Sequence, residues 1–127
     1  MEKIILLAVG GACGTLGRYG MSGLAHRLLG ESFPFGTFFV NIAGCFLFGL
    51  IIGLFESRGT PGPQARLLLL TGFMGAFTTF STYIYESAAM VRLGEWLPAA
   101  LNVGGQVAAG AAMFFLGTAA ARTLAGA

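Results

Sequence analysis

The stretch Gly72-Phe73-Met74-Gly75-Ala76-Phe77-Thr78-Thr79-Phe80-Ser81-Thr82-Tyr83 lies at the centre of a segment, 67–91, whose length suits a bilayer crossing. Its hydroxyl side chains crowd into 78–83, at the depth where a spanning helix passes the midplane. No ordinary lipid-facing helix places five hydroxyls there. Hydroxyls can satisfy backbone groups freed by local unwinding, and Gly72 and Gly75 permit dihedrals that other residues resist. The stretch therefore predicts a membrane helix broken at its middle. Unwound carbonyls at such a break can coordinate a cation without any carboxylate.

The rest of the chain agrees with a lipid environment. Of 127 residues, 56% are apolar and 21 are glycine, while only 9% are Asp, Glu, Lys or Arg. A soluble domain carries about a quarter of its residues as charged types, so this chain could not cover a water-facing surface. A net charge of +2 offers no footprint for phosphate. Soluble enzymes, disordered chains and nucleic-acid binders are thereby excluded, and no nucleic-acid partner is expected.

Charges bound the segments. The runs 32–55, 67–85 and 96–121 are free of charge and each can span a hydrocarbon core. The first segment spans only if it continues past Arg18, which places an arginine inside the membrane. Four transmembrane helices follow, near 4–29, 36–55, 67–91 and 96–121, as one membrane domain covering 1–127 with short loops. Processing of the first segment as a signal peptide is disfavoured, because Gly10 stands where a lipoprotein site before Cys13 wants a branched apolar residue. Cys13 and Cys45 stand singly in apolar runs and read as small packing residues.

Orientation is the next question. The N-terminus, the 56–66 loop and the C-terminus share one side and carry Lys3, Arg58, Arg66 and Arg122; Arg18, Arg27 and Arg92 belong to the other. This is close to no bias, so the chain is expected to insert both ways. Two copies in opposite orientation can then pair about an axis in the membrane plane, as the inverted repeats of transporters do.

Small residues supply the helix seams. Gly10, Gly14 and Gly17 share a face of the first helix, Gly49 and Gly53 one of the second, and Gly104, Ala108 and Ala112 one of the fourth, beside Gly105 and Ala109. Polar groups inside the bilayer are more informative. Thr37 and Asn41 stand one turn apart on the second helix, and Asn102 and Gln106 one turn apart on the fourth. They read either as interhelical glue or as a track of donors lining a pore. Glu86 falls near a mouth, about 12 Å along the helix from Thr78. Arg18 lies toward the corresponding end of its own helix. Their matching depth allows the two to be neighbours at the same mouth, as a structural pair or a vestibule charge.

Three stretches then carry a resemblance across essentially the whole chain: Gly10-Gly11-Ala12-Cys13-Gly14 through Arg18-Tyr19, Gly36-Thr37 through Val40-Asn41 and Gly44, and Gly72 through Thr82. The sequence closely resembles the Fluc/CrcB family of bacterial fluoride channels. The resemblance implies an all-α, four-helix inner-membrane protein, not an enzyme, forming an antiparallel dual-topology homodimer with two fluoride pores. It also implies a structural sodium ion held by backbone carbonyls of Gly75 and Thr78. Phe80 and Asn41 match pore residues of the family. Tyr83 stands where the family has a second phenylalanine, and Asn102 and Gln106 occupy the face of its polar track, on which Gly110 offers no donor. Arg18 matches a vestibule arginine, and Glu86 a glutamate that follows the third-helix motif.

The residue chemistry suits that reading. A small, strongly hydrated anion needs dense donors in place of water, and Thr37, Asn41, Thr79, Ser81, Tyr83, Asn102 and Gln106 are candidates. A ring edge carries the positive part of its quadrupole, so an edge-on Phe80 can face an anion without holding it tightly. Whether Tyr83 offers its hydroxyl or its edge stays open from sequence. Two rival readings are a proton-coupled small multidrug exporter and a non-transporting assembly subunit. The exporter needs a carboxylate deep in the first helix, where this chain has none past Glu2.

Overall fold

The computed structural model describes residues 1–126, and among these every regular element is a helix. Helix α1 (Glu2–Leu29) ends at Gly30, whose φ of 80° is open to glycine, and α2 (Phe35–Arg58) follows after a short turn. The third span is assembled from α3 (Pro63–Arg66), a π-helical stretch (Leu67–Met74), α4 (Gly75–Phe77) and, after Thr78 and Thr79, α5 (Phe80–Arg92). Helix α6 (Trp96–Ala125) completes the bundle. Four spans, Glu2–Leu29, Phe35–Arg58, Pro63–Arg92 and Trp96–Ala125, are long and apolar enough to cross a membrane.

Each expected span is present and each is longer than expected. Helix α2 runs through Glu56 to Arg58, the third span begins at Pro63, and α6 passes Arg122. Charge marks where a helix meets the interface but does not end it, since long side chains reach water from inside the last turn. Gly59, with φ 93°, stops α2, and proline in the first turn starts α3. Leu16, Leu101, Val107 and Phe115 are exposed on the outside, where a water-soluble protein would carry charge.

Close backbone approach holds the helices together. A Cβ on Gly10 would stand 2.5 Å from the Leu68 carbonyl oxygen, and one on Gly14 would overlap the carbonyl oxygen of Phe73. The glycine face of α1 is thus seated on the π-helical stretch. Gly49 meets the Phe114 carbonyl in the same way, Gly53 meets Ala121 and Thr118, and Gly117 of α6 meets the Phe46 carbonyl of α2. Val40, Met74 and Phe77 form a small buried core between these contacts.

The seam of α6 differs from the one expected. Gly104, Ala108 and Ala112 face outward, and a Cβ on Gly104 would meet nothing within 4 Å. Ala99, Asn102, Gln106, Gly110, Gly117 and Ala121 are the buried face instead. Burial of the amides decides the rotation: exposing Asn102 and Gln106 to lipid would leave their hydrogen bonds unmade, whereas small apolar residues lose little there.

Candidate functional site

The third span breaks at Thr78 and Thr79, where the sequence placed it, but by different means. Thr78 (φ −83°, ψ 158°) and Thr79 (φ −146°, ψ 104°) are both extended, while Gly75 remains helical at φ −62°, ψ −32°. Extended backbone is open to any residue and is favoured by β-branched threonine, so glycine is not what permits the break. Thr78 makes the last helical bond, N–H to the Met74 carbonyl at 3.2 Å, with its hydroxyl on the same oxygen at 3.1 Å. On the far side the Thr79 side chain caps α5, accepting from Thr82 N–H at 3.4 Å.

Asn41 of α2 grips the break from within. Its Oδ1 accepts from the Thr79 N–H at 2.8 Å, and its Nδ2 donates to the Thr79 carbonyl at 3.1 Å and to Gln106 Oε1 at 2.8 Å. Because the Thr79 N–H turns to Asn41, the Gly75 carbonyl loses its helical donor. Behind Asn41, Gln106 Nε2 donates to Asn102 Oδ1 at 2.8 Å, and Asn102 Nδ2 donates to Ser87 Oγ at 2.9 Å. Asn102 is completely buried, at 0% exposure. Two amides expected only as a shared face thus join a third from another helix.

Two cavities meet the break. The first, about 350 Å³, is lined by Asn41, Thr78, Phe80, Tyr83 and Gln106, together with Gly44, Cys45, Phe48, Met74, Val107 and Phe114. The second, about 370 Å³, lies beside Arg18, Thr37, Thr79 and Thr82. Lysine is absent from both linings, and arginine appears only in the second. The Phe80 and Tyr83 rings stand 5.5 Å apart at 45°. Tyr83 is buried, and its hydroxyl donates to the Val103 carbonyl of α6 at 3.2 Å, which leaves its ring to line the first cavity. Ser81 lies on the exposed face of α5 and Asn102 behind the cavity, so neither lines these two cavities.

Arg18 and Glu86 are not partners in the protomer. The Thr37 hydroxyl donates to Glu86 Oε1 at 2.8 Å, while Oε2 is buried without a partner, and among the described residues no ion pair joins it to Arg18. Equal depth in parallel helices does not set the direction a side chain points around the helix axis. Ser87 was absent from the sequence-derived candidates, although it is buried, donates to the Tyr83 carbonyl at 2.7 Å and receives Asn102. The available signal was its position one turn beyond Tyr83 on the same face.

Comparison with known proteins adds a family. The family described as "CrcB-like protein, Camphor Resistance (CrcB)" matches residues 5–118. A "Fluoride-specific ion channel FluC" of Maridesulfovibrio salexigens is 52% identical over 124 residues, covering 98% of each chain. Proteins of the same name from Nitratidesulfovibrio vulgaris and Nitrosococcus oceani are 51% and 50% identical, over 92% and 91% of this chain and 94% and 93% of theirs.

Proposed function

Because the chain belongs to the CrcB family, we propose that it is a fluoride-selective channel through which fluoride leaves the cell by passive electrodiffusion. It is a multi-pass protein of the membrane, the inner one in a bacterium, and not an enzyme. The observation that carries the channel reading is the meeting of Phe80, Tyr83, Asn41 and Gln106 around one cavity at a broken helix. Neutral groups line it. The rings of Phe80 and Tyr83 can turn positive edges to an anion, and the start of α5 directs the positive end of a helix dipole to the same place. Thr37 and Thr79 border the second cavity, where Arg18 raises the anion concentration without standing in the first. A first cavity without fixed full charge lets the ion leave as readily as it enters.

The assembly in this reading is an antiparallel homodimer with one pore on each side of its axis. Gly75 and Phe80 are exposed on the protomer, and Phe80 is 74% exposed, so the break faces outward where a second copy can cover it. A sodium ion on that axis would be held by the carbonyls of Gly75 and Thr78. These groups fit a hard cation: one has lost its helical donor and the other lies in extended backbone. Bound there, the cation would supply fixed positive potential at the midplane.

Purified protein in liposomes is expected to release fluoride at least about a hundredfold faster than chloride, a difference of about 2.7 kcal/mol in barrier height. Comparable rates for both ions, or no flux of either, would end this reading. Reporter fusions at the C-terminus are expected to be active on both sides of the membrane. Activity on one side only would overturn the antiparallel pair while leaving conduction to be judged by flux.

A further inference from the structure

The amides of α6 have a different place from the rings and hydroxyls beside them, because each is tied to another amide in a chain with fixed ends. The Thr79 N–H can only donate, so Asn41 must turn Oδ1 toward it and Nδ2 toward Gln106. Gln106 must then present Oε1 to Asn41 and Nε2 to Asn102. Asn102 in turn presents Nδ2 to the Ser87 hydroxyl, which donates to the Tyr83 carbonyl, a group that can only accept. A backbone donor at one end and a backbone acceptor at the other leave each amide one orientation.

The geometry points to Gln106 and Asn102 as positioning residues: they fix the Asn41 amide, and through it the Thr78–Thr79 break, and act on ion passage through the break they hold. This rests on the reading that the break lies on an ion path. Both Nδ2 protons of Asn41 are already used, on Gln106 and on the Thr79 carbonyl. Asn102 has no exposed surface from which to reach an ion. Without Gln106, the Asn41 amide keeps its two bonds to the Thr79 backbone but loses its tie to α6, so its grip on the break loosens. The same helix also holds α5 directly, through Tyr83 on the Val103 carbonyl and Ser87 on Asn102. The buried face of α6 thus keeps both sides of the break in register.

A double-mutant cycle separates positioning from direct donation. Asn41→Ala, Gln106→Met and the double variant are compared in fluoride efflux from liposomes. If Gln106 acts through Asn41, the double variant is as slow as Asn41→Ala alone; losses that multiply would overturn the proposal. Hydrogen exchange of the protein in detergent gives a second readout that needs no conduction. Gln106→Met is expected to speed exchange of the Thr79 amide by about five- to tenfold, the equivalent of one net hydrogen bond. Unchanged exchange would overturn the proposal, even if no protein in the set conducts fluoride, a result that would separately remove the channel reading. Should Gln106→Met not fold, Gln106→Glu serves. Its carboxylate keeps the acceptor for Asn41 and loses only the donor to Asn102. Exchange at Thr79 is therefore expected to match that of the parent at the same pH, and exchange speeded about five- to tenfold in this variant would overturn the proposal.

Discussion

Replacing Phe80 with isoleucine is expected to lower fluoride efflux from liposomes by at least about tenfold, with the elution volume in size-exclusion chromatography unchanged from the parent. An aromatic edge is worth about 0.5–1.5 kcal/mol in contacts with other rings. A desolvated ion gains more, because charge is screened less in a low-dielectric path. A tenfold loss needs only about 1.4 kcal/mol of added barrier. Isoleucine keeps apolar bulk and removes the quadrupole, so the change tests the ring's electrostatics and not merely the width of the cavity. Phe80 is suited to the test because it is 74% exposed in the protomer and supports none of the buried core. Tyr83 is not, since it is buried and bonded to α6, and its loss would confound packing with conduction. Unchanged flux would remove Phe80 from the path. A later elution, as of a smaller assembly, would assign the ring to an interface between copies instead.

The sequence reached the type of each site residue more readily than its partner. The depth of the break was legible because hydroxyls are costly at the midplane unless they serve freed backbone, and Thr78 and Thr79 are where the helix opens. Its conformation was not legible: glycine drew attention, but threonine in an extended backbone makes the opening. The π-helical stretch gave no sign, since Leu67, Leu68, Leu69 and Leu70 satisfy an α-turn and a π-turn equally well. On α6 two stripes competed, one of small residues and one bearing Asn102 and Gln106, and spacing alone could not choose between them. The cost of leaving amides unbonded in lipid chose. The same limit applies to Arg18 and Glu86, for which position along the helix was readable and rotation about its axis was not. The link from Asn41 to Gln106 joins α2 to α6, and only their relative register could reveal it.

Gly14→Ala is expected to destabilise the protein, whereas Gly17→Ala, less than one turn later on the same helix, is expected to be neutral or mildly stabilising. Both changes add one methyl group and both raise helix propensity by about 1 kcal/mol relative to glycine. What differs is the neighbour. The new Cβ at Gly14 would overlap the Phe73 carbonyl oxygen, a backbone atom of the π-helical stretch that cannot rotate aside. At Gly17 the nearest atoms are the Phe77 ring carbons Cδ2 and Cε2, at 3.4 and 3.5 Å, an ordinary contact. Forcing α1 away from the π-helical stretch costs about 1–3 kcal/mol or more and opens the packing that leads into α4 and the break. The unfolding midpoint of Gly14→Ala in detergent should fall by roughly 3–10 °C, and that of Gly17→Ala should not fall. Equal midpoints for the two variants would show that α1 can withdraw from Phe73 without penalty. The wide π-turn and the glycine face would then be unrelated features. A fall confined to Gly14 would tie them together: the π-stretch offers its carbonyls to α1 because α1 has no side chain there to refuse them.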